Sequence, residues 1–493
     1  MKDTVGAGIV SIITESLYDK PIVVFREYIQ NSADALRSAS LSGNAKDLSS
    51  EIWIEEDDLL FLDNGTGIEK DEFHRKMIEI ANYGKKKADN IGYKGIGRLS
   101  GIPYCRELVF INIIDYANRV FQEYVIDCQE YAKIRDHEDS DSLGFNELMT
   151  RIGTLSDEPN TSEILGLLKG YRELFIDQNS GFLVVLRGIK PVIKNIIGDN
   201  KILEHLGWLL PVPFMPELLN PTDKADVSDW LLFTELSQPA NTDPGAQIPA
   251  RSFPISFCGK KIYRPLTRNM LRTYLCKSNI EQYGICVHSF SNERIVMTKD
   301  NPFSGIRIYY DNMLLCDENE LIPALQQYGF TNRGAYELIQ SVRGVGAIIY
   351  ITDKANLSTN ARRTFIDVTD LDSLRFLELL WEFVDSIFQA RYALSKYASA
   401  KRRGDNNQDK LYSIREAARQ SLAILARSDI TIETADDMGD ADFELLPKGE
   451  QKRIIKSIIS AEVNTQINKY LSQTDEYRPD TCLDDFKTWL FAN

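Results

Sequence analysis

The chain has 493 residues and a formal net charge of -15 at pH 7. This length is too great for one hydrophobic core and predicts about three domains of roughly 150 residues each. A hydrophobic share of 43% and a charged share of 26% are typical of a globular protein in water, and the acidic balance disfavours a protein that coats nucleic acid.

The sequence gives no sign of export or membrane insertion. It has no run of about 18 apolar residues, and its N-terminal segment has an acid and polar residues where a signal peptide needs a basic segment and an apolar core. The seven cysteines are scattered without a C-x-x-C pair, which favours reduced thiols and no structural zinc. We therefore expect a cytoplasmic protein.

Two helices are predicted at the N-terminal end of the chain. Residues 5–17 place apolar side chains on one helical face, and Pro21 suits the first turn of a second helix. On that second helix Glu27, Asn31 and Asp34 are spaced at i, i+4 and i+7 and share one polar stripe. A carboxylate there can orient and deprotonate a water molecule, which is the role we assign to Glu27, and the amide oxygen of Asn31 can bind Mg²⁺.

A hairpin and a glycine loop follow. Residues 51–62 contain two apolar runs around an acidic turn, which predicts a hairpin whose second strand leads into Asp63. The Asp63 carboxylate can accept a hydrogen bond from an exocyclic amine. Gly65 and Gly67 allow the backbone to turn tightly and to approach a flat base.

A second glycine loop precedes residue 100. The charged, glycine-containing segment 84–98 is typical of an exposed lid. Gly92, Gly95 and Gly97 would leave backbone N–H groups open to an anion at a helix start, and Lys94 adds a positive charge. Each motif is common alone, but their order and spacing together indicate a nucleotide pocket.

The rest of the first 195 residues alternates helix and strand patterns. A helix is predicted at 70–83, and strands are predicted at 108–114, 120–126 and 182–186. Residues 129–178 are mostly polar and helical, and we interpret them as an insertion.

Residues 17–35, 63–68 and 91–100 resemble motifs of the GHKL superfamily of ATPases, which includes gyrase, heat-shock protein 90, histidine kinases and MutL. Within it the chain is most similar to heat-shock protein 90 and MORC-like ATPases. The resemblance implies an α/β (α+β) fold, a Bergerat-type sandwich of a mixed sheet with helices on one face. It also implies a slow ATPase that uses ATP and Mg²⁺.

The resemblance also implies roles for single residues. Glu27 matches the catalytic base, Asn31 the magnesium ligand and Asp63 the adenine-binding carboxylate. Gly67 matches a glycine beside the base, and the three glycines within 92–97 match a phosphate loop at the end of the lid. The predicted nucleotide-binding residues are Asn31, Asp34, Asp63, Gly65, Gly67, Ile68, Asn82, Gly92, Lys94, Gly95, Ile96, Gly97 and Arg98.

One position departs from the family pattern. A strand late in these ATPase domains usually carries Gly-Thr, whose hydroxyl supports adenine binding, and the nearest match here is Ser180-Gly-Phe182. Phe182 has no hydroxyl. Either Ser180 substitutes for it or the water network around the base differs.

The likeness continues into a middle, transducer-like domain. Residues 305–315 and 343–352 resemble strands of the domain that follows the ATPase module in chaperones, MutL and MORC proteins. The segment 357–365 resembles the loop that sends an arginine to the γ-phosphate, where a cation stabilises developing charge. Either Arg362 or Arg363 would be that residue.

The C-terminal part is predicted to be helical from about residue 370, with a charged break at 401–409. The predicted apolar stripe consists of Leu371, Leu374, Leu377, Trp381, Val384 and Phe388. The expected domains are an ATPase domain at 1–195, an α/β middle domain at 196–370 and a helical region at 371–493.

The leading hypothesis is an ATP-hydrolysing conformational clamp that resembles heat-shock protein 90, forms a homodimer and acts on a protein client or partner. One alternative is an ATP-gated DNA clamp like MORC or MutL, which would bind DNA with a steep salt dependence. Another is an ATP-sensing subunit of a bacterial defence system, which would copurify with an effector protein.

Overall fold

The structure is a computed structural model that describes residues 20–41, 47–79, 97–135, 144–216, 252–265, 275–280, 284–290, 305–310, 312–329, 345–351, 357, 359, 365–366, 371–404 and 408–426. The helix predicted at 5–17 lies outside these residues.

The described elements are thirteen strands, ten α-helices and two 3₁₀ segments. The strands are β1 (Ser50–Glu55), β2 (Asp58–Asp63), β3 (Glu107–Asp115), β4 (Val120–Asp127), β5 (Gly153–Ser156), β6 (Gly181–Arg187), β7 (Ile255–Phe257), β8 (Lys260–Lys261), β9 (Leu275–Ile280), β10 (Gly284–Phe290), β11 (Gly305–Tyr310), β12 (Met313–Asp317) and β13 (Val345–Ile351). The α-helices are α1 (Val23–Leu41), α2 (Lys70–Ile78), α3 (Cys128–Arg135), α4 (Phe145–Ile152), α5 (Thr161–Leu167), α6 (Pro191–Ile197), α7 (Ile202–Leu209), α8 (Glu318–Gln327), α9 (Leu371–Arg403) and α10 (Gln408–Ala426). The 3₁₀ segments are Gly97–Tyr104 and Lys169–Phe175.

The larger sheet has the strand order β5-β4-β3-β6-β2-β1-β7-β8. Its neighbouring strands are antiparallel, except that β1 and β7 are parallel. The predicted hairpin is confirmed, with Ile52 opposite Phe61, and the other three predicted strands are β3, β4 and β6. The sheet is therefore mixed, as the resemblance implied.

Both faces of the larger sheet are covered. Phe61 of β2 packs on the same side as α1, whereas Leu60 and Leu62 pack on the opposite side with Ile164 and Phe175. Since alternate side chains of a strand point to opposite faces, a strand buried on both sides is apolar throughout. The expectation of helices on one face was wrong in this respect, because α5 and the 3₁₀ segment Lys169–Phe175 cover the second face.

Residues 129–135 and 144–178 are an integral part of this domain, which corrects the interpretation of 129–178 as an insertion. β5 forms an edge of the sheet, with Leu155 opposite Tyr124 of β4. Leu148 and Met149 of α4 belong to the core on the α1 side. The segment thus completes both the sheet and the cover of its faces.

Helix α2 is shorter than predicted. It ends at Ile78, and Glu79 has an extended backbone, although its N–H still donates to the carbonyl of Arg75. The carbonyl of Glu79 accepts a hydrogen bond from the guanidinium of Arg98 at 2.6 Å. The Arg98 contact therefore lies at the point where the chain leaves helical geometry, before the end that the sequence pattern predicted.

The smaller sheet has the strand order β12-β11-β13-β10-β9, with β11 and β13 parallel. The strand regions predicted at 305–315 and 343–352 are thereby confirmed. Helix α8 begins with a capping box, in which Asp317 accepts the N–H of Asn319 and Glu320 accepts the N–H of Asp317. α8 and α9 pack on this sheet.

Two strands from beyond residue 195 extend the larger sheet. β7 pairs with β1, and Phe253 and Ile255 lie in the core next to α1. The division of the chain at residues 195 and 370 stays a prediction.

The C-terminal helices follow the predicted pattern in outline. Of the predicted stripe Leu377, Val384 and Phe388 are buried, but Leu371 is 84% exposed. Phe376 and Phe383, which were not predicted, also belong to the buried face. α9 ends at Arg403 and α10 begins at Gln408, which confirms the break. Among the described residues, no helix is both long enough and apolar enough to cross a membrane.

Arg264 joins the two sheets. It is fully buried, and it donates to the carbonyls of Trp208 (3.1 Å) and Leu210 (3.3 Å) and to the Oδ1 of Asn312 (2.8 Å). Its guanidinium carbon lies 4.1 Å from the ring centroid of Tyr309, whose hydroxyl donates to the same Trp208 carbonyl at 2.9 Å. Trp208 and Leu210 belong to the larger sheet's side, whereas Tyr309 and Asn312 belong to the β11–β12 hairpin.

Candidate nucleotide-binding site

The polar stripe on α1 contains two buried acids and one residue that is exposed to solvent. Glu27 and Asp34 are each 3% exposed, whereas Asn31 between them is exposed to solvent. The neighbouring Phe25 and Ile29 are fully buried. The stripe predicted from helical spacing is therefore present, and only its central amide faces solvent.

Glu27 lies between an arginine and a glycine. The Nη2 of Arg26 is 3.2 Å from its Oε1, and both side chains are buried. A Cβ atom at position 97 would overlap the Oε2 of Glu27, so Gly97 packs directly on the carboxylate. The structure thus brings Gly97 and Glu27 together, as the pocket prediction required.

Asp34 forms an ion pair with an arginine of its own helix. The Nη1 of Arg37 is 3.8 Å from its Oδ1, and both residues are buried. Its assignment to nucleotide binding stays a prediction.

Asp63 is a buried carboxyl at the end of β2. The N–H of Gly65 donates to its Oδ1 at 3.0 Å, and the Ser32 hydroxyl of α1 also donates to it. Burial raises the pKa of Asp63 to about 7, against the lowering effect of these two hydrogen bonds. The carboxyl therefore titrates near neutral pH and gains from any further donor.

That Ser180 supplies the hydroxyl of the usual threonine stays a prediction, and in the structure its hydroxyl is bonded to the loop after Asp63. The Ser180 Oγ donates to the carbonyl of Gly65 at 2.8 Å, so it holds the glycine loop. Phe182 lies directly opposite Asp63 in the β2–β6 pair, which puts both side chains on one face. Its ring is 6.3 Å from that of Phe110, and it forms an apolar wall beside the carboxyl.

The loop after Asp63 is held from the neighbouring strand β3. Gly67 has a φ of 62°, and a Cβ there would lie 3.0 Å from the Gly181 carbonyl and 3.1 Å from the Oδ1 of Asn112. That Oδ1 accepts the N–H of Ile68 at 2.9 Å, while the Asn112 Nδ2 donates to the carbonyl of Ile68 at 2.7 Å. Position 67 therefore requires glycine for both its conformation and its space.

The chain returns to α1 at Gly97, where the 3₁₀ segment begins. The hydroxyl of Tyr28 donates to the carbonyl of Arg98 at 3.1 Å and accepts the N–H of Gly101 at 3.0 Å. Arg98 is buried and donates to Glu79, so it connects the two described ends that flank residues 80–96. Its assignment to nucleotide binding stays a prediction.

The sequence analysis missed several residues that shape this site. They are Tyr28, Ser32, Asn64 and Asn112. Asn64 accepts the N–H of Ser49 and donates to the carbonyl of Leu174. A signal was available for Asn112, because it is a lone amide in the apolar run of β3.

Other predicted residues lie outside the described part of the chain. They are Asn82, Gly92, Lys94, Gly95, Ile96, Arg362 and Arg363, together with most of the proposed lid. Their roles stay predictions.

Comparison with known sequences agrees with this geometry. Residues 20–141 match the family described as "Histidine kinase-, DNA gyrase B-, and HSP90-like ATPase". These residues form a GHKL-type ATPase domain. The matched range contains α1, the Asp63 loop and Gly97. No curated protein matches the chain.

The donor set of this GHKL domain fits ATP with Mg²⁺. Asn31 offers a neutral oxygen on the exposed part of the α1 stripe, and Asp63 offers a buried acceptor without a charged partner among its hydrogen bonds. Asn31 would hold Mg²⁺, which neutralises phosphate charge when bound. Asp63 would accept the exocyclic amine of the base.

Proposed function

We propose that this chain is an ATP-hydrolysing conformational clamp that resembles heat-shock protein 90 and acts on a protein client or partner. The proposal rests mainly on the contact between Gly97 and the carboxylate of Glu27 on α1. The buried Asp63 lies on the same side of the larger sheet as α1. In this arrangement Asp63 would bind the adenine, and Glu27 would lie separately at the phosphate end of the nucleotide. An ATPase needs both of these acids, in different places.

In this proposal Glu27 acts as the general base. Its carboxylate would orient the attacking water and take its proton, and the Nη2 of Arg26 lies 3.2 Å from its Oε1. Asn31 would hold Mg²⁺, and Asp63 would accept a hydrogen bond from the adenine of ATP. Arg362 or Arg363 would stabilise charge on the transferred phosphoryl group, which would couple hydrolysis to movement of the middle domain.

Contacts between the two parts of the chain support the clamp. Lys20, three residues before α1, pairs with Glu320 of α8 at 2.5 Å. Arg264 ties α7 to the β11–β12 hairpin. These contacts join the segment before α1 and the end of α7 to the part of the chain that carries the smaller sheet.

Replacing Glu27 with glutamine tests the proposal. We expect the rate of hydrolysis to fall by about 10² to 10⁴, because the general base is lost. The affinity for ATP should stay within about threefold of the parent, because Glu27 contacts neither the adenine nor the metal in this proposal. Turnover and binding are measured by phosphate release and calorimetry. Glu55→Gln, an exposed acid in the β1–β2 hairpin, is the control and should leave both unchanged.

The same variant tests the clamp, because it should hold ATP without turnover. We expect Glu27→Gln with ATP and Mg²⁺ to form a more compact homodimer than with ADP, as measured by light and X-ray scattering. Unchanged mass and size in both nucleotides would contradict the clamp. Unchanged turnover in the variant would instead remove Glu27 from the mechanism.

A further inference from the structure

We propose that Tyr28 is a positioning residue, whose hydroxyl fixes the segment Gly97–Tyr104 against the carboxylate of Glu27. The hydroxyl donates to the Arg98 carbonyl at 3.1 Å and accepts the Gly101 N–H at 3.0 Å. This inference rests on the proposed function, because it assigns Glu27 the role of base.

The two contacts of α1 with this segment are adjacent in sequence. Glu27 packs against Gly97, and Tyr28, the next residue, binds the chain at Arg98 and Gly101. Successive helical residues point about 100° apart, so the segment is held at two separate places on α1. Two such contacts restrict both its distance from the helix and its rotation.

The hydroxyl is suited to this task by its surroundings. Tyr28 is 2% exposed, and its ring packs on Phe61 with 5.2 Å between the ring centroids. Burial raises the pKa of Tyr28 well above its ordinary value, so the hydroxyl stays protonated and keeps its donor.

Gly101 fits the same arrangement. A Cβ at position 101 would overlap the Tyr28 hydroxyl oxygen, while the other near atoms, Leu108 Cδ1 and the Tyr28 Cζ, would be 3.2 Å and 3.4 Å away. The hydroxyl therefore occupies the space that a larger residue at 101 would need. This predicts a specific dependence between the two positions.

Tyr28→Phe is the main test, because it keeps the ring and removes both hydrogen bonds. We expect kcat to fall by about tenfold, since small displacements of groups around a catalytic acid have large effects on rate. The Kd for ADP, measured by calorimetry, should change by less than about threefold. Tyr171→Phe, which keeps a ring in tilted contact with Trp53 on the opposite face of the sheet, is the control and should leave kcat and Kd unchanged.

A double-variant cycle gives a second readout. Gly101→Ala should lower kcat in the parent protein, because its methyl group overlaps the Tyr28 hydroxyl. In the Tyr28→Phe background the same change should lower kcat less than it does in the parent, because the overlap with the hydroxyl is gone and the tightest remaining contact is Leu108 Cδ1 at 3.2 Å. Additive losses in the double variant would contradict the direct contact.

Hydrogen exchange gives a readout that does not depend on turnover. Backbone amides of residues 97–104 should exchange at least about tenfold faster in Tyr28→Phe, while those of β3 should not change. The positioning role of Tyr28 is wrong if kcat is unchanged in Tyr28→Phe, or if kcat and ADP affinity fall equally. This holds even if Glu27→Gln abolishes turnover, which would support the proposed function. If the parent protein shows no ATPase activity, the proposed function fails, and unchanged exchange at 97–104 then overturns the positioning role separately.

Discussion

Among single residues, Asp63 is a buried carboxyl that is already held in place before any nucleotide binds. Its carboxyl has left water and is held by the Gly65 N–H and the Ser32 hydroxyl, and burial raises its pKa to about 7. Folding therefore disfavours the ionised carboxylate of Asp63, which is the form that an exocyclic amine would bind. A hydrogen bond from the adenine amine would offset part of this cost. Burial of the Asp63 carboxyl therefore lowers the stability of the ligand-free fold but strengthens binding of the nucleotide.

We expect Asp63→Asn to abolish nucleotide binding and to stabilise the ligand-free fold. Because the folded-state pKa is raised, the aspartate's contribution to stability is present at low pH and is lost as pH rises through about 7. The stability advantage of the variant should therefore grow by about 2 kcal/mol between pH 5 and pH 8. Denaturant unfolding at several pH values and ADP calorimetry measure these effects.

Asp57→Asn is the matched control for this prediction. Asp57 is exposed, and its hydrogen bond with Lys194 lowers the pKa of its carboxyl, so its contribution is present at neutral pH and lost as pH falls. The pH trend of the control should therefore have the opposite sign. A stability gain in Asp63→Asn that does not vary with pH would show that the carboxyl is not buried as described.

At the scale of elements, the floor of the site is a row of side chains across four strands. Gln122 of β4 lies opposite Asn112 of β3, Asn112 opposite Phe182 of β6, and Phe182 opposite Asp63 of β2. Directly opposite residues share a face, so this row lies on the side of α1. Asn112 is fully buried in it and binds both main-chain groups of Ile68.

We expect Asn112→Ala to weaken ADP binding by about tenfold and to cost roughly 2 kcal/mol of stability, because the N–H and carbonyl of Ile68 lose their partner in a buried place. Calorimetry and denaturant unfolding measure the two effects. Asn118→Ala removes the same kind of side chain from the exposed turn after β3, where it binds only Asp115, and should leave ADP affinity unchanged. Equal ADP affinity in both variants would rule out a role for Asn112 in holding the loop.

At the scale of the whole molecule, the junction around Arg264 makes the larger and smaller sheets depend on each other. Its four acceptors are neutral oxygens of Trp208, Leu210 and Asn312, and its charge lies over the ring of Tyr309. Removing a buried cation from such a place leaves several acceptors without donors. The junction is therefore a direct mechanical link between α7 and the β11–β12 hairpin.

We expect Arg264→Met to destabilise the protein by roughly 3 kcal/mol and to separate the unfolding of the two sheets into two transitions. Calorimetry and the fluorescence of Trp208 at the junction would show this. Arg375→Met, which removes an exposed arginine from α9, should change stability by less than about 0.5 kcal/mol. A single transition at the parent temperature in Arg264→Met would mean that the junction carries little of the coupling.

The amino-acid sequence alone determined the features that depend on local spacing. The stripe of Glu27, Asn31 and Asp34 follows from the helical period, and the β1–β2 hairpin follows from two apolar runs around a turn. The loop after Asp63 follows from its glycines. These patterns lie within about thirty residues, so their geometry is set by neighbouring backbone and can be read without knowing the fold.

Only the tertiary structure decided which distant residues meet. The row from Gln122 to Asp63 depends on the register of four strands, and the contact of Tyr28 with Gly101 joins positions 73 residues apart. The cover of the second sheet face by α5 was likewise hidden in a segment that looked polar. A one-residue change of register would reverse the facing of every side chain in a strand, and register is fixed by packing of the whole sheet rather than by local sequence.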